Sequence, residues 1–301
     1  MMAKADALRP GFTQTCWRGL AIAHPAEWEA ARLSDQGQPN QLSLVDRRYQ
    51  RLEAHWQVLK RPPNLDAMYE RLGKSLREHP HKQLLGQPEW RGLVQDGPVG
   101  QVVHAGRFFP AQSMLVELVL IWPQGRDQQI ETAILRSVAP TIDRPVLTWR
   151  ALGLHVELER EFDLTEASSH VGRVCWTFER AKPALWLTIE RLAMGKFWLK
   201  NDLPSWLAKE RPEKFRPINL TTSSGSQSAV DAGHQIVRLD SQWGGRVARL
   251  FRRAQRQVDF GWLCSEQERV YRLVARWPAH RPAFWPESLL VSCCRSVRIK
   301  V

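Results

Sequence analysis

Arginines recur at helical spacing in one segment of the chain, RVARLFRRAQRQV, which covers residues 246–258. Its apolar residues fall at positions i, i+3, i+4, i+7 and i+11, which predicts an amphipathic helix. Five arginines are expected on or beside the opposite face: Arg246, Arg249, Arg252, Arg253 and Arg256. Such a row binds phosphates or carboxylates, because each guanidinium group offers two parallel donors. The alternative is a solvated helix face, and a strand in this segment would remove the face.

Tryptophan is unusually frequent, with 14 residues in the chain. Four recur at matched positions of a repeat described below, which indicates a role in two cores: Trp17, Trp122, Trp149 and Trp277. Four others have no matched partner in the first half of the chain: Trp198, Trp206, Trp262 and Trp285. Tryptophan and arginine are enriched among the residues that contribute most to protein binding. We therefore expect some of the unmatched tryptophans at a partner surface, with core packing as the alternative.

The five cysteines and nine histidines show no metal-binding motif. Cys16, Cys175 and Cys264 stand alone, and Cys293 and Cys294 are adjacent, so no C-x-x-C pair is present. Zinc would require that distant residues come together in three dimensions. The sequence therefore predicts no metal site and no cofactor, with the cysteines serving as small buried apolar residues.

No sequence motif of a known catalytic site is present: the chain has no G-x-S-x-G, H-E-x-x-H, P-loop or G-x-G-x-x-G. The carboxylates of residues 157–163 alternate along an extended segment, which predicts one solvated strand face rather than an acid–base pair in a cleft. His79 and His81 flank Pro80, where a solvated turn is expected. We therefore expect a protein that is not an enzyme.

The charge balance favours acidic partners. The chain has 43 Lys and Arg against 31 Asp and Glu, a formal net charge of +12. This excess produces a positive surface field that attracts acidic proteins, nucleic acid or anionic lipid. We expect a protein partner with an acidic surface, and DNA or RNA is the alternative. No apolar run is long enough to span a membrane, and the odd number of cysteines is typical of the cytoplasm.

An internal repeat predicts the domain organisation. Residues 108–139 and 263–294 align without a gap at an offset of 155, with eight identical pairs in 32 positions. Each copy has a strand that ends in Trp-Pro, a polar loop and an apolar segment that ends in Leu-x-Ser. A second match, at an offset of 132, relates residues 17–20 (WRGL) to residues 149–152 (WRAL). The sequence thus predicts two tandem modules, 14–140 and 146–296, with a flexible loop at 221–233.

Each module is expected to be of the α+β class, an antiparallel sheet covered by helices. Asn64 caps a helix that extends to about Glu78, and a second helix covers residues 129–138. The corresponding helix of module two covers residues 194–209, with a kink or a break at Pro204. Strands between these helices include SMLVELVLIW, residues 113–122.

The modules resemble domains of the Mog1/PsbP type. The resemblance rests on Pro25 and Trp28 after a strand and on the terminal helix residues Ile134–Ser137. It implies small α-β-α sandwiches that act as binding or assembly factors without catalysis. The second copy departs from the pattern, because Glu157 to Phe162 replace its Pro-x-x-Trp portion. No functional residue is carried over, and the resulting hypothesis is a non-enzymatic binding or assembly protein.

Overall fold

The chain forms two compact units. Unit 1 comprises Met1–Arg144 and Trp149–Ala151, and unit 2 comprises Pro145–Thr148 and Leu152–Val301. A computed structural model describes the following residues: 9–34, 39–76, 80–98, 100–200, 202–224, 229–230, 234–245, 248, 251, 253–282, 285–286, 289–294 and 296–299.

The α+β prediction is wrong, because the described residues are mostly antiparallel strand. Strands take up 54% of them. The described α-helices are short: α1 (Leu65–Ser75), α2 (Gln128–Ser137), α3 (Gly195–Trp198) and α4 (Leu203–Glu210). Helices of 11, 10, 4 and 8 residues cannot cover two seven-stranded sheets. Sequence periodicity underestimated the strands because several, such as residues 91–109, are rich in glycine and polar residues, which weakens the strand signal.

Unit 1 contains a seven-stranded antiparallel sheet. Its strands are β3 (Glu29–Leu33), β4 (Asn40–Val45), β5 (Gln50–Val58), β6 (His81–Gln83), β7 (Arg91–Gly97), β8 (Gly100–Phe109) and β9 (Met114–Trp122). Their order is β3-β4-β5-β9-β8-β7-β6. The strands β1 (Phe12–Trp17), β2 (Leu20–Pro25) and β10 (Ala139–Pro140) pair next to one another, and β1 also pairs with the end of β11 (Val146–Ala151). Leu44, Leu52 and Leu120 are fully buried in its core.

Unit 2 contains a second seven-stranded sheet with the same progression along the chain. Its strands are β13 (Asp163–His170), β14 (Arg173–Arg180), β15 (Leu185–Leu192), β16 (Arg216–Ser224), β18 (Gln235–Trp243), β19 (Gln255–Cys264) and β20 (Arg269–Pro278). The order is β13-β14-β15-β20-β19-β18-β16. The remaining strands are β12 (Leu154–Glu159), β17 (Ala229–Val230), β21 (Leu290–Ser292) and β22 (Ser296–Ile299). In both sheets three strands lead into a helical connection and four strands return.

The hairpin turns show that the second sequence match was placed in the wrong register. Gly19 and Gly153 both have positive φ, as does the residue before each of them. These turns are 134 positions apart, so Trp17 and Trp149 are not equivalent. Instead, the β1–β11 register pairs Cys16 with Arg150 and places the two tryptophans opposite each other. Their rings lie 5.5 Å apart, edge to face.

The helical connections follow the sequence signals. The Asn64 side chain accepts a hydrogen bond from the Ala67 backbone N–H at 3.0 Å and caps α1, as predicted. In unit 2 the predicted break near Pro204 is confirmed, because α3 and α4 are separate helices. Among the described residues, no helix combines the length and hydropathy that a membrane crossing requires.

Candidate metal centre

Four potential metal ligands of unit 2 meet at one point. The donor atoms of His234, Cys264, Cys293 and Cys294 all lie within 4.8 Å of one another. His234 Nε2 is 3.2 Å from Cys293 Sγ and 3.3 Å from Cys294 Sγ, and the two sulfurs are 3.9 Å apart. Tetrahedral zinc, with Zn–S of about 2.3 Å and Zn–N of about 2.0 Å, separates its ligand atoms by about 3.5–3.8 Å. The three distances among His234, Cys293 and Cys294 are therefore close to those of a tetrahedral site, and all the donor atoms lie within 4.8 Å.

Strand register brings these residues together. In the β18–β19 pair Ile236 lies opposite Trp262, and extending this register by two residues places His234 opposite Cys264. Cys264 is the last residue of β19. Cys293 and Cys294 follow β21 directly and belong to its turn into β22, since Ser292 pairs with Ser296. Three chain segments of unit 2 thus supply the four ligands.

Hydrogen bonds within the cluster favour a thiolate at Cys264. Burial opposes its ionisation, but hydrogen bonds from the backbone and thiol of Cys294, from the Gln267 backbone and from the Cys293 thiol lower its pKa overall. Burial and the hydrogen bond with Cys264 raise the pKa of Cys294 to about 12. Cys264 therefore ionises more readily than Cys294. A bound cation would displace the thiol protons, because metals bind the thiolate form.

Buried aromatic rings lie beside the cluster. Trp262, two residues before Cys264, is fully buried and stacks on Tyr271 with ring centroids 5.3 Å apart. Arg269 lies opposite Cys264 in the β19–β20 pair. The cluster therefore lies beside buried aromatic rings that exclude water. Such surroundings stabilise a metal–thiolate centre.

The sequence prediction of no metal site missed this cluster. Its three segments are about thirty residues apart in the chain, and no short motif links them. The adjacent pair Cys293–Cys294 was the one local signal, because it places two potential ligands side by side in the chain. Cys16 and Cys175 lie outside the cluster.

The predicted arginine row is not a single helix face. Arg256 belongs to β19, where it lies opposite Gln242 on one side and Trp277 on the other. Arg253 is exposed just before that strand. Arg246, Arg249 and Arg252 lie outside the described residues. The helix prediction is wrong for residues 255–258, because two neighbouring strands satisfy the backbone hydrogen bonds of this segment.

The four unmatched tryptophans are buried or half-buried, and none of them is fully exposed. Trp206 and Trp262 are 7% and 0% exposed, so the expectation of a partner surface is wrong for these two. Trp198 is half-buried and donates a hydrogen bond to the Ala193 carbonyl at 3.0 Å. Trp285 is half-buried against Phe260, with ring centroids 5.7 Å apart. Core packing, the alternative interpretation, therefore accounts for Trp206 and Trp262, and the expectation for Trp198 and Trp285 stays a prediction.

No protein-family model matches the chain, and no curated protein matches it in sequence. The resemblance to Mog1/PsbP-type domains therefore stays a prediction. What the site does has to be inferred from its own geometry.

Proposed function

We propose that this protein is a non-enzymatic binding scaffold whose second unit is held together by a structural zinc ion. The observation that carries this proposal is the convergence of one imidazole and three sulfurs within 4.8 Å. Three Cys and one His form a ligand set typical of structural zinc, whereas catalytic zinc keeps one position for water or substrate. Thiolate ligands also disfavour magnesium and calcium, which prefer oxygen.

Zinc in this position would stabilise unit 2 by linking its two groups of strands. His234 and Cys264 come from the ends of β18 and β19, and Cys293 and Cys294 come from the β21–β22 turn. The strands β21 and β22 pair with β12 and β17, not with β18 or β19. A shared ion would therefore fix one group against the other. Reduced thiols are required for this, which fits a cytoplasmic location.

Metal analysis of the purified full chain tests this proposal. We expect one zinc ion per chain, and cobalt substitution should give the visible bands of a tetrahedral thiolate complex. Cys264→Ser and His234→Ala should each lower zinc content and affinity, whereas Cys175→Ser, outside the cluster, should retain both. A metal-free protein that fails to bind added zinc, or unchanged affinity in a Cys264→Ser, Cys294→Ser double variant, would contradict the proposal.

For the partner, we propose a protein with an acidic surface, supported by the net charge of +12. Arg256 lies on a strand, and Arg246, Arg249 and Arg252 lie outside the described residues, so the nucleic-acid alternative gains no support from a continuous helix face. Co-purification in low and high salt tests the charge argument. A partner whose binding is insensitive to salt would argue against electrostatic recognition.

A further inference from the structure

One end of unit 2 exposes four large apolar side chains. Val171 is 98% exposed, Phe197 65%, Met194 60% and Leu263 40%. We refer to these four residues as the apolar tip. Scattered exposed apolar residues are normal, but a group of them marks an interaction surface.

The members of the apolar tip are carried by neighbouring segments. The turn that contains Val171 is tied to the start of α3, because the Ala193 backbone N–H donates to the Gly172 carbonyl at 2.8 Å. The end of the Met194 side chain lies 3.9 Å from where a Cβ on Gly172 would stand. Leu263 packs against Gly195, and the Phe197 backbone N–H donates to the Met194 carbonyl at 2.8 Å. The four side chains therefore share one region.

Basic side chains flank the apolar tip. The side chain of Lys196, next to Phe197, is 92% exposed, and Lys200 is exposed as well. Lys196 lies 3.3 Å from Glu268, whose side chain is 67% exposed. Such an exposed pair is weak and leaves the lysine able to exchange partners. The apolar tip is therefore accompanied by two exposed lysines and by the carboxylate of Glu268.

We propose that the apolar tip inserts into the interface of an anionic lipid bilayer, with Lys196 and Lys200 contacting the headgroups. Three of its side chains belong to a hairpin turn and to a one-turn helix with its N-cap, and they are 60–98% exposed. Exposed apolar side chains with lysines beside them suit the boundary between headgroups and acyl chains. Anionic headgroups attract lysine near the surface. A second copy of this chain would bring the same cations together and is disfavoured.

Unit 1 lacks the insertion that carries this surface. Its β5–α1 connection, residues 59–64, which the structure describes throughout, forms no helix, whereas the corresponding connection of unit 2 contains α3. The two connections start alike: Leu59 N–H donates to the Ser113 carbonyl and Gly195 N–H to the Glu268 carbonyl. The residues Met194 to Trp198 are thus an addition to a common scaffold. Met194 and Phe197, which belong to that addition, are too exposed to serve as core residues of unit 2.

Sedimentation with vesicles tests this proposal. The full chain should sediment with vesicles of equimolar phosphatidylglycerol and phosphatidylcholine, and at least about tenfold less with phosphatidylcholine alone. A Val171→Ser, Phe197→Ser variant should lose about tenfold or more in affinity. Lys196→Gln and Lys200→Gln should each lose about fivefold. The matched control is Leu85→Ser, which removes a 76% exposed side chain from unit 1 and should bind as the parent does.

Circular dichroism and zinc content should be unchanged in these variants, because every substituted side chain is exposed. Absence of vesicle binding would overturn the proposal. Vesicle binding that depends on salt but not on Val171 and Phe197 would overturn it too, since the basic surface alone would then suffice. Binding to polyglutamate but not to vesicles would identify an acidic protein as the occupant instead.

Discussion

Equivalent strands of the two units end in different chemistry. Strand β8 of unit 1 and strand β19 of unit 2 have the same length and equivalent places in the strand order of their sheets. They end at Phe109 and Cys264. Strand pairing also relates β10 to β21. Leu20 pairs with Pro140 in unit 1, and extending the β12–β21 register places Leu154 opposite Cys293. Phe109, Pro140 and Thr141 therefore occupy the positions of Cys264, Cys293 and Cys294.

In unit 1 the three equivalent positions, Phe109, Pro140 and Thr141, carry no metal ligands. The Arg107 guanidinium lies 4.3 Å from the Phe109 ring centroid. Thr141 is buried, and its backbone N–H donates to the Gly19 carbonyl at 2.7 Å. The same strand arrangement is thus completed by aromatic packing and a backbone hydrogen bond in one unit and by a ligand cluster in the other. This strand arrangement therefore forms without a metal in unit 1, and the potential ligands at these positions are a feature of unit 2 alone.

Removal of the proposed zinc ion should produce the largest difference in stability between the two units. Structural zinc contributes about 10–16 kcal/mol in zinc-finger peptides, and unit 2 should lose several kcal/mol because its own core remains. We expect a strong chelator, or Cys264→Ser, to lower the thermal midpoint of unit 2 and leave that of unit 1 unchanged. Calorimetry with hydrogen exchange resolves the units, and Cys175→Ser is the control. Equal loss in both units would break the comparison.

A buried ion cluster provides the second contrast. In unit 2, Arg272 Nη2 lies 2.6 Å from Asp259 Oδ1 and Arg272 Nη1 lies 3.3 Å from Glu190 Oε2. The side chains of Asp259 and Glu190 are 0% and 5% exposed. Burial raises the pKa of Asp259, and Arg272 opposes this rise. The arginine therefore makes it possible to hold both carboxylates in the sheet.

Arg272→Met should destabilise unit 2 by about 3–5 kcal/mol, because it removes the cation that contacts Asp259 and one of the two that contact Glu190, which keeps Arg173. The loss should be smaller in acid. Asp259 then gains a proton, and a group with a raised folded-state pKa favours folding below that pKa. The equivalent position in unit 1 is Glu117, and Glu117→Gln should change stability by less than about 1 kcal/mol. Denaturant unfolding at two pH values measures both, and similar losses at the two positions would show that the cluster is not specific to unit 2.

Local sequence signals identified the elements that depend on few residues. The alternating segment MLVELVLIW forms β9, and Asn64 caps α1, because both features are settled within a few neighbouring positions. The segment 246–258 failed for the opposite reason. Its apolar spacing fits a helix, but residues 255–258 pair with strands that are distant in sequence. Pairing partners outweigh local periodicity where both patterns are possible.

The cluster of potential ligands could not be predicted from local sequence, because the strand register creates it. His234 and Cys264 face each other only if β18 and β19 pair as observed, and a shift by one residue would turn one side chain to the other face. The position of the β21–β22 turn is equally a result of pairing. The sequence offset of 155 locates β8 and β19 correctly, yet the preceding hairpins are offset by 134. Insertions between strands hide such shifts from an ungapped alignment.

Two equivalent glycines sharpen the comparison at the helices. A Cβ on Gly106 of β8 would lie 2.6 Å from the Tyr69 hydroxyl of α1. A Cβ on Gly261 of β19 would lie 3.3 Å from Leu207 of α4, whose end can move slightly. Gly106→Ala should therefore cost about 1–3 kcal/mol by overpacking, and Gly261→Ala less than about 1 kcal/mol. The denaturant midpoints of the two variants measure these losses. A larger loss for Gly261→Ala would show that α4 is the more tightly packed helix.

Acid sensitivity from buried histidines should be a feature of unit 1. His24 is 2% exposed, and burial is the main reason that its pKa is lowered. Burial also lowers the pKa of His104. Among the described residues, the buried Nε2 atom of His104 has no hydrogen-bond partner, which fits a neutral ring. Both histidines should therefore be neutral in folded unit 1 near pH 7.

A lowered folded-state pKa means that the unfolded chain binds protons first. The stability contributed by the two neutral histidines is fully present above the ordinary histidine pKa of 6.5 and is lost as the pH falls below it. Each histidine contributes a slope of at most about 1.4 kcal/mol per pH unit. His104→Leu should flatten the profile of unit 1, because an apolar side chain at this position takes up no proton in either state. Unit 2, monitored in the same titration by hydrogen exchange, should be unaffected by this substitution. An unchanged slope in unit 1 would mean that His104 takes up its proton equally in the folded and unfolded chains, and the acid sensitivity of unit 1 would then rest on His24 alone.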